Sequence, residues 1–201
     1  MSTETVPPAD FESSEFWEQN KNKVIIYAGA VVAALAAYGL FQYSTLKKAA
    51  DSQALYAKAT TAADYENVIK TYPSSVVAGN AQLQLADQQR SEGKYDESIA
   101  TLRDFIAKHP KHPLIAGAWT SLGSTYEAQG KKDEALDAYQ QGATKYPNGY
   151  TTPIAMLGEA RIYNLQGKKE DARRVYEDII ARFPDSVGSH EAMRELRFIK
   201  K

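Results

Sequence analysis

The feature that most constrains this chain is a period. Tyr72-Pro73, His109-Pro110, Tyr146-Pro147 and Phe183-Pro184 recur with a constant step of 37 residues. Proline lacks a backbone donor and ends a helix, so each pair closes a unit. Inside the units, Gly93-Lys94-Tyr95-Asp96-Glu97, Gly130-Lys131-Lys132-Asp133-Glu134 and Gly167-Lys168-Lys169-Glu170-Asp171 keep the same step. Glycine supplies a left-handed helix cap, and the acidic residues open the next helix where its dipole favours them. Each unit therefore reads helix, short turn, helix. Self-similarity of this period specifies a stack in which every unit leans on its neighbours. The expected fold is all-α, an N-terminal apolar helix followed by a right-handed α-solenoid.

The middle unit carries the fullest pattern. Trp119, Leu122, Gly123, Tyr126, Gly130, Ala135, Tyr139, Gly142 and Pro147 match W-x2-L-G-x2-Y, A-x3-F/Y and a terminal proline, so the units resemble tetratricopeptide repeats. The spacing expects Leu122 and Tyr126 to face the partner helix, Gly123 and Ala135 to let two backbones approach, and Tyr139 to fill the gap between units. The earlier unit has Leu85, Ala86, Leu102, Phe105 and Pro110, with Ser98 where alanine is usual; the later one has Met156, Ala160, Tyr163, Ala172, Tyr176, Ile179 and Pro184. Tyr65, Val68 and Ile69 ahead of Pro73 read as the second helix of a partial unit. The expected organisation is a connecting helix and partial repeat over 44–75, three repeats over 76–188 and a polar capping helix over 189–201.

Val24 to Tyr43 contains no charged residue. Its roughly 20 residues, at about 1.5 Å each, would cover the roughly 30 Å hydrocarbon core of a bilayer. Lys21, Lys23, Lys47 and Lys48 bracket it, and Phe16, Trp17, Phe41 and Tyr43 stand where interface anchors belong. Ala34-Leu35-Ala36 offers a small-residue cleavage motif, but the preceding region is long and net acidic and the apolar run continues past it. An uncleaved transmembrane helix over 24–43 is therefore expected, and the matched lysines leave its orientation undecided. Gly29, Ala33 and Ala37 form a small-xxx-small face suited to a second transmembrane helix, although an alanine-rich span also produces this spacing by chance. Residues 1–23 read as a short polar tail, partly disordered, in which Phe11 to Asn20 is either a short interfacial helix or a loose segment.

With 24 Lys and Arg against 25 Asp and Glu, the chain has no basic footprint for nucleic acid. The absence of cysteine removes thiolate nucleophiles and cysteine-type metal sites. His109 and His112 share a loop without a nearby acidic cluster, and no H-E-x-x-H, Walker, G-x-S-x-G or G-x-G-x-x-G motif occurs. No enzymatic activity, metal or cofactor is expected. What remains is the inner face of stacked first helices, a surface suited to extended or helical peptide segments. The repeat register places Asn80, Leu83, Asp87, Arg90, Thr120, Ser124, Glu127, Ile154, Leu157, Arg161 and Asn164 along it. Leu83, Ile154 and Leu157 among opposite charges suit a protein ligand. The Lys/Asn pattern of repeat domains that clamp a C-terminal carboxylate is missing.

Phe16-Trp17-Glu18-Gln19-Asn20 before the apolar span, and Ala49, Asp51, Ser52, Leu55 and Tyr56 before the repeats, give an order of tail, anchor and repeats that resembles the YfgM-like family of bacterial inner-membrane proteins. The resemblance implies a single-pass inner-membrane protein with a cytoplasmic N-terminus and periplasmic repeats. It also implies a place beside the SecYEG translocon and contacts with periplasmic chaperones. Tyr72-Pro73-Ser74-Ser75, Tyr146-Pro147-Asn148 and Phe183-Pro184-Asp185-Ser186 are similar as well to the repeats of BamD and YbgF, which implies the alternative of an envelope scaffold in outer-membrane assembly or cell-wall coordination.

Overall fold

The computed structural model describes residues 10–199, with side chains described from Phe16. Their regular structure is helical throughout: α1 (Asp10–Tyr56), α2 (Ala62–Thr71), α3 (Val76–Ser91), α4 (Tyr95–Lys108), α5 (Ile115–Ala128), α6 (Lys132–Lys145), α7 (Thr152–Leu165), α8 (Lys169–Arg182) and α9 (Val187–Leu196). The chain divides into two compact units between Ala50 and Asp51.

The first unit holds most of α1, a helix of 47 residues. The tail expected over 1–23 lies outside the described residues as far as residue 9; from Asp10 it is helix, because no proline or glycine interrupts the sequence before Gly29. The side chains of Ile25, Ile26, Val32, Leu35, Leu40 and Phe41 are all exposed. An apolar helix with no buried face is a candidate membrane span. Gly29, Ala33 and Ala37 are exposed on it.

In the second unit, Leu55 and Tyr56 at the end of α1 pack against a cluster of Val68, Val77 and Ala81. Thr61 caps α2 reciprocally with Asp64. Three helical hairpins follow, α3/α4, α5/α6 and α7/α8. Their turns pass through Gly93, Gly130 and Gly167 at φ of 76°, 82° and 76°, a left-handed conformation that side chains with a Cβ resist. At the mouths of these hairpins Gln129 donates to Asp96 at 2.8 Å and Gln166 to Asp133 at 2.9 Å, so one inter-repeat bond recurs with the repeat step. Successive first helices touch (α5 with α7, α7 with α9, and α3 with α5 more sparsely), whereas no two successive second helices do among the described residues. The first helices therefore line the inner side of the stack.

The core follows the register. Leu122, Tyr126, Ala135 and Tyr139 are buried together with Leu102, Phe105 and Ile115. Burying a leucine of this kind stabilises by about 2 kcal/mol. Tyr139 lies between two glycines: a Cβ on Gly123 would stand 2.5 Å from its ring, and one on Gly158 2.4 Å. The structure thus corrects the expected role of Gly123, which makes room for an aromatic ring rather than for a neighbouring backbone. Ser98 is tolerated at its small-residue position because its hydroxyl, fully buried, donates to the Ala86 carbonyl at 2.7 Å.

The C-terminal helix begins at Val187, two residues before the expected cap, where the Ser186 hydroxyl accepts from the Ser189 amide. α9 stands in register with α3, α5 and α7, as a first helix. Its inner side buries Ala192, while Val187 and Met193 are exposed, so its outer side is less polar than a capping helix was expected to be.

Candidate protein-binding surface

The expected inner-face residues fall on α3 (Asn80, Leu83, Asp87, Arg90), α5 (Thr120, Ser124, Glu127) and α7 (Ile154, Leu157, Arg161, Asn164). None is fully buried. Leu83 and Leu157 are partly buried against the core and present one edge, while Ile154 is 47% exposed. Thr120 and Ser124 donate to the Ala116 and Ser121 carbonyls of their own helix, which leaves the hydroxyl oxygens as acceptors.

The structure brings two of these residues together across units. Arg161 Nε and Nη2 each donate to Glu127 at 2.7 Å, a bidentate pair between α7 and α5. Tyr139 Oη donates to the same carboxylate at 2.9 Å, so the ring held between Gly123 and Gly158 also fixes the ion pair. Burial alone would push the Glu127 carboxyl up; the hydrogen bonds from Arg161 and Tyr139 and the charge of Arg161 outweigh it and hold it below its ordinary value. Burial and then the Glu127 charge push the Tyr139 hydroxyl well above the usual phenol range. Arg90 likewise pairs with Asp87 on its own helix. The charges of the inner face are thus satisfied before any ligand arrives. Its free recognition capacity is apolar edges and neutral polar groups.

On the opposite side of the first helices, each hairpin leaves a cleft against the second helix of the preceding unit. One lies between α2, α3 and α4 and includes Gln82, Leu85 and Asp104; Gln82 donates to Asp104 there at 2.9 Å. The next, between α4, α5 and α6, has a volume of about 510 Å³ over Trp119, Leu122 and Tyr126. The third, between α6, α7 and α8, has a volume of about 520 Å³ over Met156, Glu159 and Tyr163. Burial pushes the Glu159 carboxyl up, the Asp178 charge adds to this, and hydrogen bonds from Gln140 and Tyr163 oppose it. Glu159 occupies the register position of Leu85 and Leu122, a departure visible in the sequence once the units are aligned at 37 residues.

The His109 and His112 loop has a structural use. His112 Nδ1 accepts the Leu114 amide at 3.1 Å, which places the proton on Nε2, and Nε2 lies 3.1 Å from the Val76 carbonyl. Both ring nitrogens are occupied by backbone. His112 stands at the register position of Ser75 and Ser186, which cap α3 and α9. Among the described residues no group of three or more potential metal ligands is assembled.

Comparison with known proteins agrees with this architecture. A thermophilic tetratricopeptide repeat protein of Thermus thermophilus is 19% identical, with a TM-score of 0.54 over 89% of this chain and 98% of its own. The nearly identical repeats of a putative kinesin light chain of Podosopora anserina are 18% identical, with a TM-score of 0.56 over 69% and 75%. MamA is 24% identical, with a TM-score of 0.50 over 61% and 67%. At these identities the likeness is one of fold. No protein of curated function matches the sequence. The tetratricopeptide repeat-like domain family, however, matches residues 14–196, nearly the whole chain, and the protein belongs to that family.

Proposed function

We propose that this protein is a membrane-anchored interaction module, in which α1 spans the bilayer and the inner face of α3, α5 and α7 holds a segment of a partner protein. The observation that carries the reading is the open inner face itself, with Leu83, Ile154 and Leu157 presenting apolar edges between charges that are already paired. A ligand there gains by burying apolar surface rather than by supplying a counter-charge. The uncharged stretch of α1, exposed all round, supports the anchor. The order of tail, anchor and repeats supports a bacterial inner-membrane protein with periplasmic repeats, serving the translocon and its periplasmic chaperones. An envelope scaffold is the second reading, favoured by the Tyr-Pro and Phe-Pro unit endings.

Photo-crosslinkers at Leu83, Ser124, Ile154 and Leu157 should capture protein partners in cells, and probes at the hairpin edges Lys94, Glu134 and Lys168 should capture few. Equal yields at both sets would remove the inner face as the site. Co-purified translocon subunits would support the first reading, and cell-wall or outer-membrane machinery the second. Placing Asp at Val32 and Leu35 together should cost roughly 5 to 7 kcal/mol of insertion and release the protein from the membrane. Wild-type protein in the soluble fraction with an N-terminus near Ala37 would overturn the anchor.

A further inference from the structure

The third repeat carries a carboxyl group at a position that the other complete repeats fill with leucine. The first two complete repeats carry Leu85 and Leu122 at a position where the third carries Glu159. Glu159 faces a cleft of about 520 Å³ on the side of α7 away from the inner face. Two arginines stand at this cleft, but each is already paired on α8, Arg174 with Asp171 and Arg182 with Asp178. Glu159 has no ion pair among the described residues; its partners are the neutral Gln140 amide, 2.9 Å from Oε1, and the Tyr163 hydroxyl. A partly buried carboxyl with only neutral partners keeps capacity for a charge-assisted bond. Burial pushes its protonation upward, the sign expected of a carboxyl that lacks a cation.

We propose that the cleft between α6, α7 and α8 receives a lysine side chain of a partner protein, its ammonium meeting Glu159 and its methylene stem lying along Met156 and Val175. The wall residues Met156 and Val175 match an aliphatic stem, and lysine is the side chain that buries such a stem behind a charged head. Lysine fits better than arginine, because Gln140 already occupies Oε1 and leaves no free bidentate edge for a guanidinium. The corresponding cleft of the second repeat is floored by Trp119, Leu122 and Tyr126, and its carboxylates, Asp133, Glu134 and Asp137, stand on α6, where Glu134 and Asp137 are exposed rather than partly buried. A partner held on the inner face would leave this cleft open, so it is a second and separate point of attachment.

The test uses the full chain in detergent micelles with its three methionines carrying ¹³C-methyl labels. The probe is Nα-acetyl-lysine methylamide. Met156 should show a saturable shift while Met1 and Met193 stay in place. The norleucine analogue, with a similar aliphatic stem but no charge, should give none. Glu159→Gln should weaken lysine binding by about tenfold or more, since a bond to a charged group is lost. Glu159→Leu restores the residue of the other repeats, and so should fold and abolish binding. The proposal fails if norleucine shifts Met156 equally or if Glu159→Gln binds lysine as the wild type does. It fails too if spermidine binds far more tightly than the lysine probe, which would make the cleft a polyamine site.

Discussion

The outer clefts of the second and third repeats share one backbone plan and differ in chemistry. In the second, Leu122 is buried in the core beneath Trp119 and Tyr126; in the third, Glu159 holds the same position and is stranded between neutral partners. The inner side shows the reverse economy. There a carboxylate, Glu127, receives a bidentate arginine and a tyrosine hydroxyl from neighbouring helices. A repeat register fixes where a side chain sits, while its neighbours from adjacent units decide whether a charge at that place stabilises or burdens the fold.

Four substitutions probe this contrast in the 51–201 unit. The largest effect is expected for Leu122→Ala, which removes a buried side chain and should cost about 3 kcal/mol in urea unfolding. The equivalent truncation Glu159→Ala should cost much less, and equal losses would mean that Glu159 is as well accommodated by the fold as Leu122. Arg161→Ala leaves Glu127 with Tyr139 alone and should cost about 1.5 kcal/mol, a figure kept low because half of the guanidinium is exposed. Glu127 is held below its ordinary value in the folded state. The stabilisation from the pair is therefore fully present above about pH 5 and lost as pH falls through the lowered folded value, so wild type and Arg161→Ala should converge in acid. A pH-independent difference would show that the guanidinium acts by packing instead. Glu159→Leu should give the smallest change, a gain of about 1 kcal/mol from replacing a poorly compensated polar group. Its pH dependence has the opposite sign. The folded carboxyl is held above its ordinary value, so the penalty is absent below about pH 4 and grows as pH rises through the folded value. A Glu159→Leu protein less stable than wild type at neutral pH would mean that the cleft supplies Glu159 with a partner.

Much of the architecture was legible from spacing alone. The prolines and glycines at a step of 37 residues predicted the three hairpins, and the turn glycines do adopt positive φ. Tyr139 was recognisable as the filler between units. Its pairing with two glycines was not, because Gly158 lies in the following repeat at a position where the preceding one has Ser121. The recurring bonds from Gln129 to Asp96 and Gln166 to Asp133 were present in the sequence as a repeated offset, but an acidic residue at a helix start already has a local explanation. The inner-face residues were placed on the intended helices. That Arg161 takes Glu127, and that Arg90 takes Asp87, rests on rotamers and helix spacing that a one-dimensional pattern does not carry.

The sequence by itself determined the period, the places of the hairpin turns, and the apolar character of α1, because these depend on backbone chemistry and local composition. Only the tertiary structure decided which charges meet, which glycines admit the Tyr139 ring, and that Glu159 faces a cleft whose two arginines are already paired on α8. Those outcomes depend on distances between side chains of different repeats, which packing sets to within an ångström.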